Sequence, residues 1–101
     1  LMSVIRAIRP VLEGYIRSSY PLSFPAQTQE WLGAMLEKIR DAEPGHSLAM
    51  LKSIYDDLSN LNKYTKRYYH DDNTRKTPVG VVDETELQGF VKISLEIIGR
   101  L

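Results

Sequence analysis

The chain has 101 residues, 43% of them hydrophobic and 26% charged, the make-up of a single helical or mixed globular domain with a modest core spanning residues 1–101. Thirteen basic residues balance thirteen acidic ones, which argues against polyanion binding through overall charge and leaves a local patch as the route to nucleic acid. Cysteine is absent, so disulfides, thiol catalysis and thiolate zinc sites are excluded, as fits a cytoplasmic protein; no apolar run approaches the ~18 residues that span a bilayer.

The first pattern, LMSVIRAIRPVLEGYIRSSYP, sets Val4, Ile5, Ile8, Val11, Leu12, Tyr15 and Ile16 at helical spacing, with Arg6, Arg9, Glu13 and Arg17 on the other face. Pro10 lies inside the pattern, so the helix is expected to kink there or a second piece to open there. Pro21 ends the segment. The chain starts at Leu1 already in helical pattern, and the expectation is a domain excised from the C-terminus of a larger protein, its first helix continuing from an upstream segment.

Residues 21–27, PLSFPAQ, form a loop from which Leu22 and Phe24 are expected to tuck onto the core. In the next helix Thr28 is the candidate cap, and Trp31, Leu32, Met35, Leu36 and Ile39 make one apolar stripe, closed by Pro44-Gly45. His46 follows in the turn and is expected to point at water. The third and longest pattern runs from Ser47, its expected cap, to about His70, through Leu48, Leu51, Ile54, Tyr55, Leu58, Leu61, Tyr64 and Tyr68. Ser59, Asn60 and Asn62 favour a bend near its middle.

Periodicity disappears from Asp71 to Val82. A last helix opens with DETE, where Asp83 accepts from the first-turn amides and Glu86 reaches back as in a capping box. Leu87, Phe90, Val91, Leu95 and Ile98 line its face. Ile93 and Ile97 widen that face, which implies contact on two sides or a homodimer surface. Four amphipathic helices with short connections predict an all-α, antiparallel four-helix bundle.

The densest chemistry lies at residues 61–76, LNKYTKRYYHDDNTRK. On a helix, Lys63, Arg67 and His70 share a face and Lys66 lies at its edge, with Tyr64 and Tyr68 on the apolar side. A histidine can move a proton on the ribose hydroxyl while a cation stabilises the phosphate, and tyrosines can stack on unpaired bases: the parts of a metal-free RNA-cleaving site. Lys63, Lys66, Arg67, Arg75 and Lys76 equally make a nucleic-acid patch without chemistry. The same residues also suit a purely structural helix end, where cations favour the negative dipole terminus and tyrosines sit at the core edge. A carboxylate such as Glu13, with Arg9 beside it, facing His70 across the bundle would help a catalyst or make a quiet buried hydrogen bond.

His70, Asp71, Asp72 and Asn73 are consecutive, so their side chains do not converge on a metal unless the loop folds back. Neither a metal nor a cofactor is expected, and no phosphate-loop or nucleophile-elbow spacing is present, so the chain carries no ATPase site.

Two stretches together, IRPVLEGYIRSSYP before a Trp/Leu-rich helix and LSNLNKYTKRYYHDDN before DETELQGFVKISLEIIG, resemble the C-terminal region of large coiled-coil bacterial AAA-type ATPases related to defence and anticodon-nuclease systems. The general shape is similar to HEPN domains, small helical modules found in RNA-cleaving toxins. The resemblance implies a HEPN-like bundle and, for catalytic members, an Arg followed by four to six residues and then His. His70 matches the histidine, but the eligible upstream positions hold Lys63, Tyr64 and Thr65, and lysine lacks arginine's bidentate fork. The expectation is therefore a degenerate module for self-association or docking onto parent-chain domains. The alternatives are a metal-independent ribonuclease on tRNA or other RNA, using His70 with Lys63 or Arg67, and binding of RNA without cleavage. No membrane contact is expected.

Overall fold

Ile5, Ile8, Leu12 and Ile16 recur at three- and four-residue steps and are all buried, which fixes the inward stripe of α1 (Met2–Ser19). The computed structural model describes residues 2–25, 31–69 and 82–101. Among them the chain is all-helical: α1 is followed by α2 (Leu32–Asp41), a 3-10 helix (Ser47–Ile54), α3 (Tyr55–Tyr69) and α4 (Glu84–Arg100), with no strand.

α1 runs through Pro10 as one helix, so no second piece opens there. Pro10 and Arg6 are both exposed, so the carbonyl freed by the missing proline amide lies on the solvent side, where water can serve it. Beyond α1, Phe24 is fully buried while Leu22 is 98% exposed. The loop thus anchors through one of its two apolar residues, not both.

α2 begins at Leu32 with Trp31 at its N-cap; the expected cap, Thr28, lies outside the described residues. Trp31 is 69% exposed and leaves the apolar stripe to Leu32, Met35, Leu36 and Ile39. The Trp31 side chain makes no capping bond. Instead Glu13, buried on α1, reaches across and accepts from the Leu32 amide at 2.7 Å. A carboxylate at a helix N-terminus meets both an orphan donor and the positive dipole end.

The turn after α2 uses Gly45 at φ +95°, a left-handed conformation that a Cβ disfavours. The next cap is His46, not Ser47: its Nδ1 accepts from the Leu48 amide at 3.0 Å. This cap opens a 3-10 helix, in place of the continuous α-helix that the spacing predicts. Leu48, Leu51 and Ile54 are spaced by three and all buried, and three residues per turn puts them on a single line. From Ile54 the steps become four and three, through Leu58, Leu61, Tyr64 and Tyr68, and the backbone turns α-helical at Tyr55. α3 is continuous across Ser59–Asn62, so those poor helix formers do not break it.

α3 is the central element, in contact with α1, α2, α4 and the 3-10 helix. Its buried Thr65 satisfies its hydroxyl on the Leu61 carbonyl at 2.9 Å, so a polar side chain sits in the core at little cost. α4 opens as expected on Asp83, whose Oδ1 accepts from the Thr85 and Glu86 amides at 2.9 and 3.2 Å. Glu86 does not reach back to complete a box; it turns to α3. The buried line of α4 is Leu87, Ser94 and Ile97, flanked by Phe90 and Ile98, while Leu95 stands outside it. The radius of gyration, 14.3 Å, is close to the ~13 Å of a compact chain this long. No helix among the described residues is long and apolar enough to cross a membrane.

Candidate functional site

The last two turns of α3 present Lys63, Lys66 and Arg67 outward and Tyr64 and Tyr68 inward, the division that helical spacing predicts. Lys63 and Lys66 are exposed and form no ion pair among the described residues. Arg67 is engaged. Its guanidinium donates to Glu86 Oε1 on α4 at 3.0 Å and lies 4.9 Å from the Tyr64 ring and 5.7 Å from the Tyr68 ring. An arginine so held ties α3 to α4 through its ion pair with Glu86, while the two tyrosine rings of its own helix fix the guanidinium in place.

The tyrosines are packed, not presented. Tyr64 is 2% exposed, stacked on Phe90 of α4 at 4.1 Å and 15° between planes, and meets Tyr68 edge-on at 5.4 Å. With Phe90 and Arg67 against it, its ring has no room for a nucleic-acid base. Its hydroxyl is buried with no hydrogen-bond partner among the described residues. Burial pushes this phenol up to about 12; the neighbouring Tyr68 and Glu86 act the same way, and Arg67 opposes them.

His70, Arg75 and Lys76 lie outside the described residues, as do Asp71, Asp72 and Asn73. Of the two α1 residues considered as facing His70, the Glu13 carboxylate is committed to the α2 amide, and Arg9 is half-buried with contacts of its own. Glu13 was expected on a polar face; no local signal in the sequence shows that a carboxylate on α1 completes the first turn of α2.

A second surface emerges where α1 and α4 lie side by side. Val4, Val11 and Tyr15 on α1 and Leu95 on α4 are all exposed, Leu95 at 63%. Val4, Val91 and Leu95 line one continuous groove between the two helices, floored by Ala7, Ile8 and Ser94. Gln88, Lys92 and Glu96 form its outer wall. Sequence spacing put Leu95 on the inward face of α4. It belongs to an adjacent strip that faces water, while Ile97, read as widening that face, occupies the core. Neither the family models, nor the curated proteins, nor the solved structures compared with this chain give a match.

Proposed function

We propose that this chain is a HEPN-like, antiparallel four-helix module that serves self-association or partner docking in a bacterial defence-type ATPase, without itself cleaving RNA. The observation that carries the reading is the α1–α4 groove: Val4 and Val11 on α1 and Leu95 on α4, beside a half-buried Val91, stay in water. Such surface gains about 25 cal/mol per Å² when covered, and contiguous apolar patches mark interaction sites. The end of α3 supports the same reading from the other side, because Arg67 is tied to Glu86 and Tyr64 is packed against Phe90.

Cleavage through His70 is the alternative, with RNA binding through the same cations as its weaker form. The exposed Lys63 and Lys66, which form no ion pair among the described residues, favour it. A mixed tRNA pool in EDTA separates the readings: neither the chain nor its His70→Ala variant is expected to cut. Chelator-resistant cleavage that His70→Ala abolishes would replace the docking reading with the ribonuclease. On the docking side, Leu95→Asp puts a charge into the groove at an exposed position. It is expected to keep full helicity by circular dichroism while losing association, whether with itself or with the ATPase region. Undiminished association in that variant would sink the reading.

A further inference from the structure

We infer that the occupant of the α1–α4 groove is a second copy of this chain, with the two α4 helices antiparallel across a two-fold axis and Lys92 of each beside Glu96 of the other. The inference rests on the docking reading and adds the partner and its orientation. A two-fold contact is self-complementary, so any residue that meets a given neighbour is met by it in return. Lys92 and Glu96 stand one turn apart on the same wall of the groove. Neither forms an ion pair among the described residues. Lysine before glutamate is the less favourable order for a pair within one helix, which leaves both charges for a partner.

With the axis level with Ser94, midway between them, an antiparallel α4 turns this opposite pair into two crossed pairs and brings the two Leu95 side chains together near the axis. A parallel α4 would set lysine against lysine. A basic or an acidic peptide would answer only one of the two charges. The chain's own α4, reversed, answers both.

Size sets the expected strength. α1 has 18 residues and α4 has 17. At 1.5 Å per residue and an 8–10 Å separation, their shared face measures roughly 25 by 20 Å, or about 500 Å² before side-chain relief. Standard interfaces cover about 800 Å² per partner and transient ones less, so the dimer is expected to be weak and concentration-dependent, in the micromolar range.

Sedimentation velocity over a concentration series tests the arrangement. Lys92→Glu alone and Glu96→Lys alone are each expected to weaken self-association about tenfold, because each reversal acts twice across the axis. An equimolar mixture of the two variants is expected to associate as tightly as the unaltered chain, since each then offers the charge that the other lacks. Both positions are exposed, and circular dichroism checks that the helices are intact. Single reversals that dimerise normally, or a mixture no tighter than either variant alone, would overturn the crossed pairing and leave the docking reading in place. A chain that stays monomeric throughout would overturn the second copy as occupant. The docking reading falls separately, if Leu95→Asp leaves every association unchanged or if His70-dependent cleavage is found.

Discussion

The hydroxyl of Tyr64 is the most consequential single group at the end of α3, because it is buried, unpartnered among the described residues and raised to about 12. An unfolded tyrosine ionises near pH 10, so the native state holds this proton more tightly. The stabilisation is complete below about pH 10 and is lost as pH climbs through about 12. Its full size is at most roughly 3 kcal/mol. Urea unfolding is therefore expected to show stability falling from about pH 10 toward about pH 12, with the fall much reduced in Tyr64→Phe. At neutral pH the same variant is expected to change stability by no more than about 1 kcal/mol, because the buried hydroxyl it removes has at most the neighbouring Tyr68 to bond to among the described residues. An alkaline loss undiminished in Tyr64→Phe would assign it to other groups. Arg67 illustrates what spacing can and cannot show at this scale. Its outward direction was legible from the helix period. Its commitment to Glu86 was not, since the two residues are nineteen apart in sequence and meet only when α3 and α4 pack.

At the scale of elements, α2 depends on α1 for its first turn. Trp31 offers no cap, and the Glu13 carboxylate supplies the acceptor for the Leu32 amide. Glu13→Ala would leave that amide buried and unanswered, a loss of about 1–3 kcal/mol. Glu13→Gln keeps an oxygen acceptor and is expected to lose less. Urea midpoints rank the three chains, and equal loss in both variants would show that charge or packing, not the acceptor, matters. Helical periodicity made all four α-helices legible, together with the Asp83 cap and most of the core. The 3-10 helix escaped because a spacing of three is also part of the α-helical pattern. The repetition at Leu48, Leu51 and Ile54 does not give it away, because Leu58, Leu61 and Tyr64 repeat by three inside α3. The His46 cap escaped because serine, next to it, is the commoner capping residue.

Over the whole molecule, the two candidate surfaces have opposite characters. The end of α3 is cationic outside and closed inside, with Arg67 and Tyr64 holding α3 to α4. The α1–α4 groove is apolar and open, walled by a lysine and a glutamate. The sequence signalled an excess of apolar residues on α4 and hence a second contact surface. It could not say which residues face the core, because Val91, Leu95 and Ile98 fit either of two stripes about a third of a turn apart. The choice is made by where α1 and α3 pack, which places Ile97 inside and Leu95 outside.

Absence of cysteine makes one measurement direct, since an introduced thiol reports on one position alone. Leu95→Cys places it in the groove, and Lys66→Cys places it on the exposed face of α3. Under mild oxidation at concentrations where the chain self-associates, Leu95→Cys is predicted to form a disulfide-linked dimer and Lys66→Cys to remain monomeric. A linked Lys66→Cys beside an unlinked Leu95→Cys would contradict the account and move the contact surface to the end of α3.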